Sequence, residues 1–268
     1  MREPPPAAGA ARGPETGESL KPMTLLEHLD ELRRRLMRCL MAIAVGFAVS
    51  YAYHEEIFQW LAVPLTRYLP EGGRLVYLKL QEPFMLFLKV ALFAGIFLAA
   101  PFLLWQLWLF ISPGLYRHEK RYALPFIVFA STLFIAGCAF AYFIALPSAF
   151  QFFIDMGKGY TPNIDIDFFF DLVLFIILGM GAVFQLPVVI AFLSMMGMVT
   201  PRFLIRKFRH AVVIIFIVAA VISPTTDALN LVIFAGPMLV LYVLSIGVSW
   251  IFMRRRAKTG AVDGASAA

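Results

Sequence analysis

Residues 84–111 read FMLFLKVALFAGIFLAAPFLLWQLWLFI, 28 residues with a single charge, Lys89. At ~1.5 Å rise per residue, a helix of this length exceeds the ~30 Å hydrocarbon core of a bilayer. Five more apolar stretches accompany it. They run from Leu36 to Tyr53, with Arg38 near the start, from Tyr122 to Phe150, from Phe168 to Met198, with Asp171 near the start, from Phe208 to Ile222, and from Ala228 to Met253. Phe208–Ile222 has only 15 residues, roughly 22 Å of helix, which implies local membrane thinning or protein cover. The pattern predicts an all-α polytopic integral membrane protein with six transmembrane helices.

Composition agrees. Hydrophobic residues make up 61% of the 268 and charged residues 15%, against about 45–50% and about 25% in soluble domains. Mean hydropathy is +0.81. A soluble fold of this size would leave apolar patches facing water well beyond what monomers tolerate. A soluble enzyme, a disordered chain and a nucleic-acid-binding domain are thereby set aside, despite the +6 charge. The two cysteines, Cys39 and Cys138, lie inside apolar runs and read as packing residues, not as a disulfide or metal site.

The basic residues orient the chain. Eighteen of the 23 lie on one side: those up to Arg38, the Arg117–Arg121 and Arg202–Arg209 groups, and Arg254–Lys258. Arg67, Arg74, Lys79, Lys89 and Lys158 lie on the other. This bias predicts that both termini are cytoplasmic. The net charge is then a matter of topology, with anionic lipid headgroups as its expected neighbours. Residues 1–22 are rich in Pro, Ala and Gly and read as a disordered tail. Residues 23–254 form the membrane domain and 255–268 a cytoplasmic C-terminal tail.

Residues 24–36 read as an amphipathic interfacial helix leading into the first span. Leu25, Leu29, Leu32 and Leu36 fall at helical spacing, Thr24 and Glu27 fit a capping box, and Glu31 and Arg35 form an i,i+4 pair. Pro101 and Pro187 sit within apolar stretches and predict kinks, and Pro64 predicts an interruption of a short helix over Ile57–Leu69. Ser112-Pro113 and Thr200-Pro201 each resemble an N-cap opening a short helix. Ser223-Pro224-Thr225-Thr226-Asp227 is so short a connection that the helices on either side must pack as a hairpin.

Polar groups inside the spans are the default functional candidates. Gln185 stands mid-span, suited to bond a neighbouring helix or a carbonyl freed by Pro187. Lys89 and Asp171 lie near the outer ends of their spans. Glu119 is a lone acid in Arg117-His118-Glu119-Lys120-Arg121. No HExxH pair, P-loop lysine or GxSxG elbow is present, and the four histidines lie at or outside span ends, which argues against an enzyme. A small-solute transporter is the alternative, weakened by the near absence of ionisable groups at the midplane.

Several motifs, in order, resemble the TatC family, the polytopic subunit of the twin-arginine protein translocase. His28-Leu29-Asp30-Glu31-Leu32-Arg33-Arg34-Arg35-Leu36 is similar to that family's N-terminal signature, and Ala100-Pro101 followed by Phe110 to Arg121 to its first cytoplasmic loop. Phe184-Gln185-Leu186-Pro187 resembles its fourth span, and Ser223 to Asp227 its final turn. The resemblance implies a receptor for the Arg-Arg motif of signal peptides on folded cargo. It also implies assembly with single-span partners of the TatA and TatB type, transport driven by the protonmotive force, and no cofactor or metal. Carried over onto this chain, signal binding falls on Glu31, Arg33, Glu119 and Arg121. Structural or partner-helix roles fall on Pro64, Pro101, Phe110, Gln185 and Asp227. Family members often have glutamate where this chain has Gln185; if they use that acid for proton coupling, this chain cannot do so there.

Overall fold

A computed structural model describes residues 25–111 and 123–265. The elements are α1 (Leu25–Tyr51), α2 (His54–Thr66), β1 (Arg74–Val76), α3 (Glu82–Ile111), α4 (Ala123–Phe140), a π-helical turn (Ala141–Ala145), α5 (Leu146–Met156), β2 (Asn163–Asp165), α6 (Ile166–Val183), α7 (Leu186–Met195), α8 (Pro201–Arg206), α9 (Phe208–Ile222) and α10 (Ala228–Ala265). Four helical stretches are long and apolar enough to cross a membrane: Glu82–Phe110, Leu124–Met156, Ile166–Met195 and Ala228–Ile251. The pair Leu26–Tyr51 and His54–Thr66 qualifies only when taken together, bent by 86°. Phe208–Ile222 is a shorter apolar helix.

Several boundaries differ from the sequence reading: the third stretch runs on to Met156 and the short helix after the first span is His54–Thr66. The interfacial helix and the first span are one uninterrupted helix, α1, because nothing between Arg33 and Ala42 breaks helical geometry. The helix that begins at Ala228 runs to Ala265, through most of the stretch read as a tail. Thr24, the N-cap candidate, and the residues before it lie outside the described residues.

The prolines behave differently from one another. Helix α2 continues through Pro64. A helical proline leaves the carbonyl four residues earlier without its donor. Here that carbonyl is Trp60 O, and the Tyr142 hydroxyl donates to it at 2.5 Å, with the two rings stacked 4.1 Å apart. Helix α3 runs unbroken through Pro101. The fourth stretch breaks before its proline: α6 ends at Val183 and α7 begins at Leu186, with Gln185 as the capping residue. Pro147 stands in the first turn of α5, just past the π-helical turn, where a missing N–H is tolerated.

Association in lipid relies on close packing of small residues, since the surrounding tails are as apolar as the helices. Helices α1 and α3 cross at Gly46 and Gly95, where a Cβ on Gly46 would stand 2.6 Å from Gly95 O. Helices α4 and α6 cross at Gly137, where a Cβ would meet Met180 O at 2.7 Å. Phe170, Phe234, Ile176, Met180 and Met238 fill the core, with Cys138 among them. Large apolar side chains such as Leu98, Phe143, Val213 and Val240 point outward, as expected where lipid is the solvent. At the end far from the α1 N-terminus, β1 and β2 pair in parallel, Leu75 opposite Ile164, and join the loops that follow α2 and α5. Three-residue strands leave no periodicity in the sequence from which to read them.

Candidate functional site

Helical spacing places His28, Glu31 and Arg35 on one face of α1, against the C-terminal end of α3. The His28 ring stacks on Phe110, centroids 4.5 Å apart. One turn further along, Arg35 Nε donates to Glu31 Oε1 at 3.0 Å and Nη2 donates to the same oxygen. Arg35 Nη1 donates to Gln106 Oε1 at 3.3 Å. The Glu31 and Arg35 side chains are each 16% exposed, and Gln106 is buried. The second carboxylate oxygen, Glu31 Oε2, is buried and accepts no hydrogen bond from the described residues. A carboxylate offers about four acceptor positions. Half of these are unused among the described residues, in a setting where partial burial strengthens any pair the carboxylate makes.

Arg33 is not part of this arrangement. Two residues from Glu31, it lies on the opposite side of the helix and is exposed. Leu26, Leu29, Leu32 and Leu36 are exposed as well. The leucine face of α1 thus points away from the protein, while Glu31 and Arg35 turn inward toward α3.

Gln185 caps α7 at the break in the fourth stretch. Its Nε2 donates to Ala130 O of α4 at 3.0 Å, and its Oε1 is buried without a partner among the described residues. It therefore bonds a neighbouring helix and not a carbonyl freed by Pro187. A cavity of about 110 Å³ adjoins it, lined by Trp108, Phe126, Val188 and Phe192 among others. Pro101 borders a separate cavity of about 180 Å³ with Ser131.

The hairpin turn between α9 and α10 is held by its own side chains. Asp227 Oδ2 accepts from Asn230 N at 2.8 Å and Oδ1 from Asn230 Nδ2 at 2.9 Å, an N-cap for α10. Ser148 of α5 bonds the Asn230 amide oxygen. Burial pushes the Asp227 carboxyl up, but hydrogen bonds from Asn230 and Thr225 outweigh it and hold the group below the usual carboxylate range.

The family model described as Sec-independent protein translocase protein (TatC) matches residues 27–237. This chain belongs to the TatC family. It is 44% identical over 245 residues to the Sec-independent protein translocase protein TatC of Koribacter versatilis, covering 90% of both chains. It is 35% identical over 237 residues to the TatC of Aquifex aeolicus, covering 87% of this chain and 98% of that one. Among solved structures, it is similar to one titled "Crystal Structure of Twin Arginine Translocase Receptor- TatC", with TM-score 0.72 and 35% identity over 85% of this chain and all of that one. A second structure of that receptor, in the detergent DDM, gives TM-score 0.74 and 34% identity over 83% and 99%. The protein is accordingly a core subunit of the twin-arginine translocase, an all-α multi-pass protein of the bacterial inner membrane.

Some of the TatC signature residues lie among the described residues and others outside them. Glu31, Phe110, Gln185 and Asp227 lie where the geometry above places them. Glu119 and Arg121 lie outside the described residues, as does the Ser112-Pro113 cap, in the connection that leaves α3 just after Phe110. The Thr200 cap is formed, its Oγ1 accepting from Phe203 N at 3.3 Å. At the far end Lys89 Nζ lies 2.7 Å from both Asp167 and Asp171, joining α3 to α6. Sequence reasoning named Lys89 and Asp171 separately and did not join them. It passed over Gln106, Tyr142 and Asn230. The signal for Gln106 was present in its being an amide within an apolar run, the mark of a buried polar partner.

Proposed function

We propose that this chain receives Arg-Arg signal peptides of folded cargo on the face that carries Glu31. In this reading that face and both termini are cytoplasmic, and α9 serves as a sixth, short span. Transport is driven by the protonmotive force. Single-span proteins of the TatA and TatB type are the partners in the assembled complex. The observation that carries the reading is the half-used carboxylate of Glu31, set beside α3 at the end from which the Glu119 segment departs. A guanidinium is planar and donates in parallel pairs, so a carboxylate with an open oxygen selects it over the point charge of lysine. Arg33 and Arg121 then serve as flanking charges and not as ligands. A groove of about 540 Å³ between α1 and α3, lined by Arg38, Met41, Val45, Val49, Leu98 and Phe102, continues the same helix face. It suits the apolar segment that follows the arginines.

The test is complementation. In a bacterium lacking its own TatC-type subunit, the full chain with its single-span partners should restore export of an Arg-Arg cargo. The same cargo with a Lys-Lys pair should stay in the cytoplasm. Equal export of both cargoes, or of neither, would overturn the reading.

A further inference from the structure

We infer that Arg35 is an internal guanidinium that occupies Glu31 until the signal peptide's arginine displaces it, and that Gln106 receives Arg35 when it leaves. The inference rests on the signal-binding role proposed for Glu31. Arg35 spends two N–H donors on one oxygen, Glu31 Oε1, and a third on Gln106, while Glu31 Oε2 has no donor among the described residues. A guanidinium that merely locked Glu31 in place would engage both oxygens, the fork-to-fork geometry of a strong pair. The observed arrangement holds the carboxylate by one oxygen and leaves the other buried and without a donor, so that an incoming guanidinium reaches it only as Arg35 moves aside. An arriving arginine needs both oxygens for its own bidentate contact, so Arg35 must give up Oε1. Gln106, buried and already bonded to Nη1, keeps the released cation from being left without an acceptor.

The exchange confers selectivity. An arginine replaces the two N–H bonds that Arg35 surrenders with a planar parallel pair, whereas the donors of a lysine ammonium diverge from one nitrogen and do not match both carboxylate oxygens, so lysine loses the competition. Arg35 is thus a specificity-determining residue that acts through Glu31.

The test measures binding of fluorescent Arg-Arg and Lys-Lys signal peptides to the full chain, with its single-span partners, in lipid nanodiscs. Arg35→Gln should tighten the Arg-Arg peptide about threefold, in line with a partly exposed ion pair, and tighten the Lys-Lys peptide more, so that discrimination narrows. Gln106→Leu should do the opposite and weaken Arg-Arg binding, because Arg35 then has nowhere to go. Arg35→Lys keeps the cation and carries the same test with a smaller change if the glutamine variant loses thermal stability. Weaker Arg-Arg binding on Arg35→Gln or Arg35→Lys, or unaltered discrimination, would overturn the exchange. Glu31→Ala separates the two levels. Full binding in that variant overturns the site itself, while lost binding together with no gain from Arg35→Gln overturns the exchange alone.

Discussion

The hydroxyl of Tyr142 donates to the carbonyl of Trp60, the group that Pro64 deprives of its helical donor. A proline inside a helix is thereby made tolerable by a side chain from another part of the chain, and α2 is tied to the π-helical turn. Tyr142→Phe keeps the ring stack and removes the bond. It should destabilise the protein by about 1–3 kcal/mol, the cost of an unmet buried acceptor, read as a lower midpoint of thermal unfolding in detergent. Pro64→Ala restores a backbone donor and should remove most of that loss in the double variant. An additive double variant would contradict the account.

The α1–α3 crossing leaves no room for a side chain at Gly46. Gly46→Val should lower stability by about 1–3 kcal/mol through forced separation of the helices, and it should reduce the amount of protein in the membrane. Val49→Ala, on an exposed position of the same helix, should change little, within about 0.5 kcal/mol.

Asp227 caps α10 and is held below the usual carboxylate range. Its stabilisation is therefore complete above the ordinary carboxylate value of the unfolded chain and is lost as pH falls through the lower folded value. Asp227→Ala should cost about 1 kcal/mol near neutrality. It should also flatten the acid limb of a plot of unfolding midpoint against pH, and an unchanged acid limb would count against the cap.

Gln185 joins α7 to α4 through Ala130 and keeps a buried oxygen open. Gln185→Leu should reduce export of an Arg-Arg cargo several-fold. Gln185→Glu should retain export, since its carboxylate preserves an acceptor for a polar group on a partner helix. Full export by the leucine variant would show that no polar group is needed there.

Much of this architecture was legible because a helix bathed in lipid must stay apolar along its length. The runs at 84–111 and 208–222 needed no tertiary information, and α9 has the bounds that the hydropathy pattern gives it. The Glu31–Arg35 pair was legible from helical spacing alone. What spacing could not show was that Arg35 also reaches Gln106, 71 residues away, or that Arg33 turns outward. The three prolines looked alike in sequence. Their outcomes differ with their surroundings: Tyr142 relieves Pro64, the fourth stretch breaks at Gln185 before Pro187, and α3 continues through Pro101. The joining of Lys89 to Asp167 and Asp171 likewise depends on how α3 and α6 are laid side by side.

The most direct measurement is photo-crosslinking of an Arg-Arg signal peptide to the chain in native membranes, compared across Glu31→Ala, Glu119→Ala and the double variant. The account predicts weaker crosslinking in each single variant, loss in the double variant, and a similar loss when the peptide carries a Lys-Lys pair. Crosslinking that persists unchanged in the double variant would contradict it.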